Sequence, residues 1–216
     1  MAIREDILLP LTQNKNKIPF DFHRKERIEK SISEIDETVY IDKPETVNFI
    51  ELLTKRLEAV NGKVLEINNK EELLRTLLNI ENENNKTIYF TYNEEIKKGL
   101  SNIHWTNEIT QANTSITFCD YVIARTGTIM VSANSVKGRK VLSFPDIHIV
   151  IAQKDQIVFG LHDAISKFHT RHKENFPSFV SFITGPSKTA DIEKTLILGA
   201  HGPKKIYLLL SNHKIL

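Results

Sequence analysis

The sequence predicts an α/β protein, with a mainly parallel sheet flanked by helices and an antiparallel strand segment around residues 115–153. Two features carry that prediction. Between Pro44 and Leu100, stretches with helical apolar spacing alternate with short strand-like runs, the rhythm of a parallel sheet covered by helices. From Ser115 to Gln153 the strand-like runs follow one another through short links, which suits hairpins or a sheet that changes direction.

Each element has its own signal. Glu26 to Ile35 and Pro44 to Val60 have helical spacing, the second with Phe49, Leu52, Leu53 and Leu57 on one face. Lys63 to Ile67 reads as a short strand ended by Asn68-Asn69, Glu71 to Ile80 as a helix, Lys86 to Tyr92 as a strand and Asn93 to Leu100 as a short helix. Four strand runs follow: Ile116 to Val122, Thr128 to Ser132, Val141 to Phe144 and Ile147 to Ala152. A helix over about Ile157 to Lys173 leads to the strand Phe179 to Ile183, then to helical spacing over Asp191 to Leu198 and a terminal strand. There is no internal repeat and no low-complexity linker. The expected organisation is an N-terminal helical extension over 1–40 and one α/β domain over 41–216.

Composition narrows the function classes. With 216 residues, 40% hydrophobic and 26% charged, the chain suits a soluble domain able to bury a continuous core. A net charge of +2 argues against nucleic-acid binding by bulk electrostatics. The basic groups Lys97-Lys98, Lys204-Lys205 and Lys137 with Arg139-Lys140 are too short for a binding tail. No run of about 18 apolar residues is present, so no membrane insertion is expected. The start, Met1-Ala2-Ile3-Arg4-Glu5-Asp6, lacks the pattern of a secretory signal, and the expected location is the cytoplasm. Cys119 is the one cysteine, so the chain cannot carry an iron–sulfur cluster on its own cysteines. Its setting, Ile116-Thr117-Phe118-Cys119, favours a buried structural thiol over a nucleophile.

Two turns draw attention as sites. In the first, a strand breaks at Gly185-Pro186 and is read as reopening into a helix at Asp191; unpaired N–H groups at such a junction attract anions. Ser187 or Thr189 could cap that helix, and Asp191 and Glu193 sit where carboxylates favour a helix start, so a well-capped turn explains the same residues as a phosphate or carboxylate cradle. The second is Arg125-Thr126-Gly127-Thr128, where a glycine lies between two apolar runs beside two hydroxyls. Arg125 could grip an anion bidentately or pair with a core carboxylate. Among eight histidines, His201, beside Gly202-Pro203, and His148, on the Ile147 to Ala152 strand, are the pocket candidates. His169 and His172 stand three apart on a predicted helix but lie on a basic face, and no metal site is assigned.

The run SFITGPSKTADIEKTLILGAHGPKKIYLLL, taken with ARTGT at Ala124 to Thr128, resembles the lactate-utilisation protein C family, whose common unit is the LUD domain. The resemblance is sharpest from about Ile116 to Leu210. It implies a cytoplasmic bacterial protein with a fold similar to the phosphosugar isomerase and CoA-transferase superfamily. It also implies one of three products linked to oxidising L-lactate to pyruvate, the other two being iron–sulfur proteins. The family usually has a glutamate at the position of Arg125, and guanidinium cannot act as a base near neutral pH. Lys188 stands where the family often has arginine, which keeps the charge and loses the planar fork.

Three functions follow from these readings. One is a subunit or accessory factor in lactate oxidation with iron–sulfur partners and a small anionic ligand. Another is a stand-alone isomerase or acyl-transfer enzyme with Asp191, Glu193 or His201 as catalytic candidates. The third is a metabolite-binding module. The ligand, phosphate-bearing or carboxylate, is expected among Arg125, Thr126, Gly127, Thr128, His148, Gly185, Pro186, Ser187, Lys188, Thr189, His201 and Gly202. The two turns are expected to face one another at the carboxyl ends of parallel strands.

Overall fold

The structure is a computed structural model that describes residues 47–84, 87–190, 196–198 and 202–216, all within the unit Glu45–Leu216. The expected N-terminal extension over 1–40 lies outside the described residues. The first helix, α1 (Phe49–Ala59), starts where the Asn48 side chain accepts the Ile50 and Glu51 N–H groups at 3.0 and 3.3 Å, and it buries Leu53 and Leu57. Strand β1 (Gly62–Ile67) follows, then α2 (Lys70–Glu83), capped by Asn69, and β2 (Tyr89–Phe90). The short helix α3 (Glu94–Gly99) is capped by Asn93. Asparagine caps three helices in a row because its amide oxygen satisfies N–H groups that the first turn leaves orphaned.

The central sheet has the order β1, β11 (Lys205–Ser211), β6 (Ile147–Gln153), β3 (Thr114–Phe118), β2. All four pairings are parallel. Its central strands, β6 and β11, are buried on both faces, and the period of two divides each between two cores. Ile147, Ile149, Ile151, Tyr207 and Leu209 face the side that packs on α2 and α3. Val150, Ala152, Ile206, Leu208 and Leu210 face the opposite side, where they meet Leu53 and Leu57 of α1 and a second sheet.

That second sheet contains β4 (Tyr121–Ile123), β5 (Thr128–Ser132), β7 (Ile157–Val158) and β8 (Val180–Ile183), in the order β7, β4, β5, β8. β5 runs antiparallel to both neighbours, whereas β4 and β7 are parallel. Val122, Ile129 and Val131 point inward to the shared core, while Tyr121, Ile123 and Met130 pack outward with Val158, Ala164 and Phe168. Ala164 and Phe168 come from helix α5 (Leu161–Arg171); the shorter α4 (Ala133–Val136) follows β5 directly.

The predicted α/β architecture therefore holds, and the antiparallel segment lies at 121–132. Its flanks, β3 and β6, belong to the parallel sheet and pair with each other. Val141 to Phe144, expected as a strand, pairs with neither sheet; Arg139–Leu142 is instead a 3-10 turn whose Val141 carbonyl accepts the Ser115 hydroxyl at 2.8 Å. The helix expected from Ile157 begins at Leu161, because Ile157–Val158 is held as a strand against β4.

Candidate functional site

The Arg125 to Thr128 turn joins β4 to β5, and Gly185 ends the segment leaving β8. Antiparallel pairing of Ile129 with Ile183 brings the turns together, as expected. Thr126 and Thr128 share a hydrogen bond between hydroxyls at 2.8 Å, and Thr128 shares another with Thr184 at 2.7 Å. The chain of hydroxyls runs from buried Thr128 to exposed Thr126 and Thr184. Both glycines have positive φ, +64° at Gly127 and +82° at Gly185. Each presses on the end of α1: a Cβ on Gly127 would lie 2.5 Å from the Leu57 nitrogen, and one on Gly185 2.7 Å from the Val60 oxygen. Glycine is required at both places by conformation and by close backbone approach.

The turns continue into a third. The Ser187 N–H donates to the Pro203 carbonyl at 2.8 Å, and a Cβ on Gly202 would lie 3.1 Å from that of Ser187 and 3.8 Å from the Leu142 oxygen. Next to Pro203, the Lys204 N–H donates to the Asp146 carbonyl at 2.7 Å. Val60 precedes β1, Asp146 precedes β6 and Lys204 precedes β11. The cluster therefore sits at the amino ends of the parallel strands, not the carboxyl ends that open α/β sheets favour. The cause is β8: it belongs to the second sheet, and its pairing with β5 delivers Gly185 to the end of α1.

A second expectation is overturned beside it. Lys188–Ala190 (β9) pairs antiparallel with Leu196–Leu198 (β10), so the helix expected over Asp191 to Leu198 does not form at its carboxyl half. Leu-Ile-Leu fits either period, and the pairing with β9 decides it. Thr189 pairs with Ile197 in this ladder, so the helix-cap role for Ser187 or Thr189 disappears. Asp191, Glu193 and His201 lie outside the described residues. Gly185 and Pro186 are buried, Ser187 is half-buried and Lys188 is exposed.

Arg125 is half-buried; its N–H donates to the Phe159 carbonyl at 3.0 Å. The side-chain Nε is buried without a hydrogen-bond partner, and no ion pair to Arg125 occurs among the described residues. His148 lies fully buried on β6, on the face turned to α1 and the second sheet. Its Nε2 is 2.8 Å from the Thr117 hydroxyl, and its Nδ1 has no partner among the described residues. Burial pushes its pKa down from 6.5 to about 4, so the ring is neutral at physiological pH. The sequence did not single out Thr117; a polar residue at every second position of an apolar strand, Ser115 then Thr117, was the available signal. Cys119 is buried, and burial first, then the negative charge of Asp120, raises its thiol far above the ordinary range. A thiol held in this way is a poor nucleophile.

The carboxyl ends hold something else, a cleft of about 140 Å³ lined by Phe118, Ile151, Gln153, Gln156, Ser211 and Lys214, among others. Gln156 anchors one wall, donating from Nε2 to the Cys119 and Asp120 carbonyls at 2.8 and 3.2 Å. Lys214 is paired with Glu95 across the mouth. No helix among the described residues is long and apolar enough to cross a membrane.

A parallel five-stranded sheet packed through α1 on a mixed four-stranded sheet, with glycine turns gathered at its amino ends, defines an α/β domain of LUD type. The LUD domain model matches residues 50–211, and the chain belongs to that family. Lactate utilization protein C of Macrococcus caseolyticus is 39% identical over 106 residues, covering 48% of this chain and 46% of that protein. Lactate utilization protein C of Geobacillus sp. (strain WCH70) is 41% identical over 97 residues, covering 44% and 40% respectively. The match thus spans less than half the length of these curated relatives. A crystal structure of a DUF162 family protein from Deinococcus radiodurans superposes with a TM-score of 0.59 at 18% identity, over 77% of this chain and 99% of that one. At that identity the likeness speaks for the fold alone.

Proposed function

We propose that this chain is the ligand-binding, non-electron-carrying member of a lactate-utilisation system, working with iron–sulfur partner proteins in the oxidation of L-lactate to pyruvate. The observation that carries the reading is the convergence of the two turns: Thr126, Thr128 and Thr184 form one hydroxyl chain, beside Arg125 with its buried, unpartnered Nε. A small carboxylate or phosphate would find neutral donors and one permanent cation there. Converting lactate to pyruvate releases two electrons and two protons. One buried thiol cannot supply the cysteine set of an iron–sulfur cluster, so on this reading clusters on partner proteins receive the electrons. The family membership and the relatives' printed names support the lactate-utilisation role.

The stand-alone isomerase or acyl-transferase reading gains nothing from the described residues, because an arginine occupies the position where a carboxylate base was expected. The test is purification of the tagged full chain from its native cells grown on lactate, with iron analysis and mass spectrometry after mild crosslinking. Cysteine-rich iron–sulfur proteins in stoichiometric amount are the expected result. Recovery of the chain alone, or lactate oxidation by the purified chain unaided, would overturn the proposal.

A further inference from the structure

His148 occupies a row that crosses the amino ends of the sheet. Gly62, Ile206, His148 and Ser115 are successive register partners on β1, β11, β6 and β3. The turns border that row on both sides: Gly185 touches Val60 just before Gly62, and Gly202 approaches Leu142, whose neighbour Val141 takes the Ser115 hydroxyl. A fully buried histidine at this place has to satisfy both ring nitrogens. One is satisfied by Thr117 at 2.8 Å, and the other has no partner among the described residues.

The tautomer follows from counting protons. The Thr117 hydroxyl carries one proton, and among the described contacts its oxygen meets only His148 Nε2. If Nε2 carried the imidazole proton, it would donate to Thr117 and the hydroxyl proton would have no acceptor, leaving two orphans. If Thr117 donates to Nε2, the single orphan is Nδ1–H. The second arrangement is the better one, and it leaves one buried neutral donor without an acceptor among the described residues. Buried polar groups without partners are rare in folded proteins, and a bound water or ligand is one way to satisfy them.

We infer that His148 donates from Nδ1 to an acceptor oxygen of a small carboxylate held beneath the amino-end turns. This rests on the reading that those turns bind an anion, and it adds the ligand class and the group that recognises it. Ring neutrality suits the task. A neutral donor orients one carboxylate or carbonyl oxygen and leaves the single negative charge to Arg125; a phosphate dianion would keep one negative charge uncompensated beside that one cation.

The test is a long-range proton–nitrogen NMR correlation on the full chain labelled with 15N-histidine, alone and titrated with pyruvate, L-lactate and inorganic phosphate. The expected result is the Nδ1–H tautomer for His148, with saturable movement of that signal on adding pyruvate or lactate and none with phosphate. Calorimetry on variants gives a second arm. His148→Gln keeps a partner for Thr117 but lacks the Nδ1 donor and should weaken pyruvate at least about 10-fold; His148→Asn, with an amide nitrogen near the Nδ1 position, should retain most of the affinity. An Nε2–H tautomer, a signal unmoved by both carboxylates, or movement with phosphate alone would overturn the inference. If pyruvate binding is lost in Thr128→Ala while His148 stays silent, the turns still bind the anion and only the role of His148 fails. Partner recovery in the purification above is independent of either result.

Discussion

The two ends of the parallel sheet solve different problems. At the amino ends, buried glycines press onto the backbone at the end of α1, hydroxyls form a chain, and His148 and Arg125 each keep a buried nitrogen unpaired among the described residues. At the carboxyl ends there is open space, but its polar groups are already occupied: Gln156 bonds two carbonyls and the Ser211 hydroxyl donates to His213. The cleft, at about 140 Å³, is smaller than the roughly 300–1,000 Å³ of ordinary ligand pockets. Unspent hydrogen-bonding capacity, more than empty volume, marks where a polar ligand gains free energy. That criterion is why we propose the amino ends as the ligand-binding side.

The largest expected effect strikes the amino-end glycines. Gly127→Ala forces a side chain into the left-handed region, which costs about 1–2 kcal/mol by itself. It also drives a Cβ to 2.5 Å from the Leu57 nitrogen, a backbone atom that cannot swing aside. The total expected loss exceeds about 3 kcal/mol in chemical denaturation. Gly160→Ala is the control. Its φ is −123° and the nearest atom to a new Cβ is Asp163 Oδ2 at 3.7 Å, so the expected loss is only that of a weaker cap at the start of α5, about 1 kcal/mol. Equal effects of the two substitutions would show that the turns are not clamped on α1.

The second effect separates the ends by pH. His148 has a folded-state pKa lowered to about 4 from 6.5. The unfolded chain therefore takes up this proton first as pH falls. Its stabilising contribution is complete above pH 6.5 and is lost progressively between 6.5 and about 4, by a few kcal/mol at the lower limit. In His148→Asn the stability profile should be flatter over that window, read from urea midpoints at successive pH values. An unchanged slope would place the ring in contact with water.

Much of the fold was legible because buried parallel strands are long apolar runs: β6 and β11 lie where Ile147 to Ala152 and the terminal strand were expected. Three-residue and four-residue apolar runs were not, since Leu196 to Leu198 and Val141 to Phe144 fit more than one period and only available pairing edges decide between them. The meeting of Thr126–Thr128 with the Gly185 turn was legible from the Gly-Thr chemistry of both. Which end of the sheet they occupy was not, because strand order is a long-range property. The link from Thr117 to His148 depends on the β3–β6 register in the same way.

A third, smaller effect belongs to the carboxyl ends. Gln156→Ala removes the donor that serves the Cys119 and Asp120 carbonyls, and it removes the acceptor for the Gln153 N–H at 2.7 Å. Water from the adjoining cleft can replace part of this. A loss of about 1–2 kcal/mol is expected from urea denaturation, with pyruvate affinity unchanged.

The smallest effect is the sharpest test of the comparison. Lys214 and Glu95 pair across the cleft with side chains 65% and 48% exposed, so solvent screens them and Lys214→Ala should cost under about 1 kcal/mol. The same lysine is the cation lining the cleft. An anion bound there would have to take Lys214 from Glu95 or sit beside an uncompensated carboxylate, whereas at the amino ends Arg125 has no competing carboxylate among the described residues. Calorimetry should accordingly find pyruvate binding indifferent to Lys214→Ala and weakened by Arg125→Gln, by at least about 10-fold if a charge-assisted hydrogen bond is lost. The reverse pattern would move the ligand to the carboxyl ends and leave the glycine turns as a structural clamp on α1.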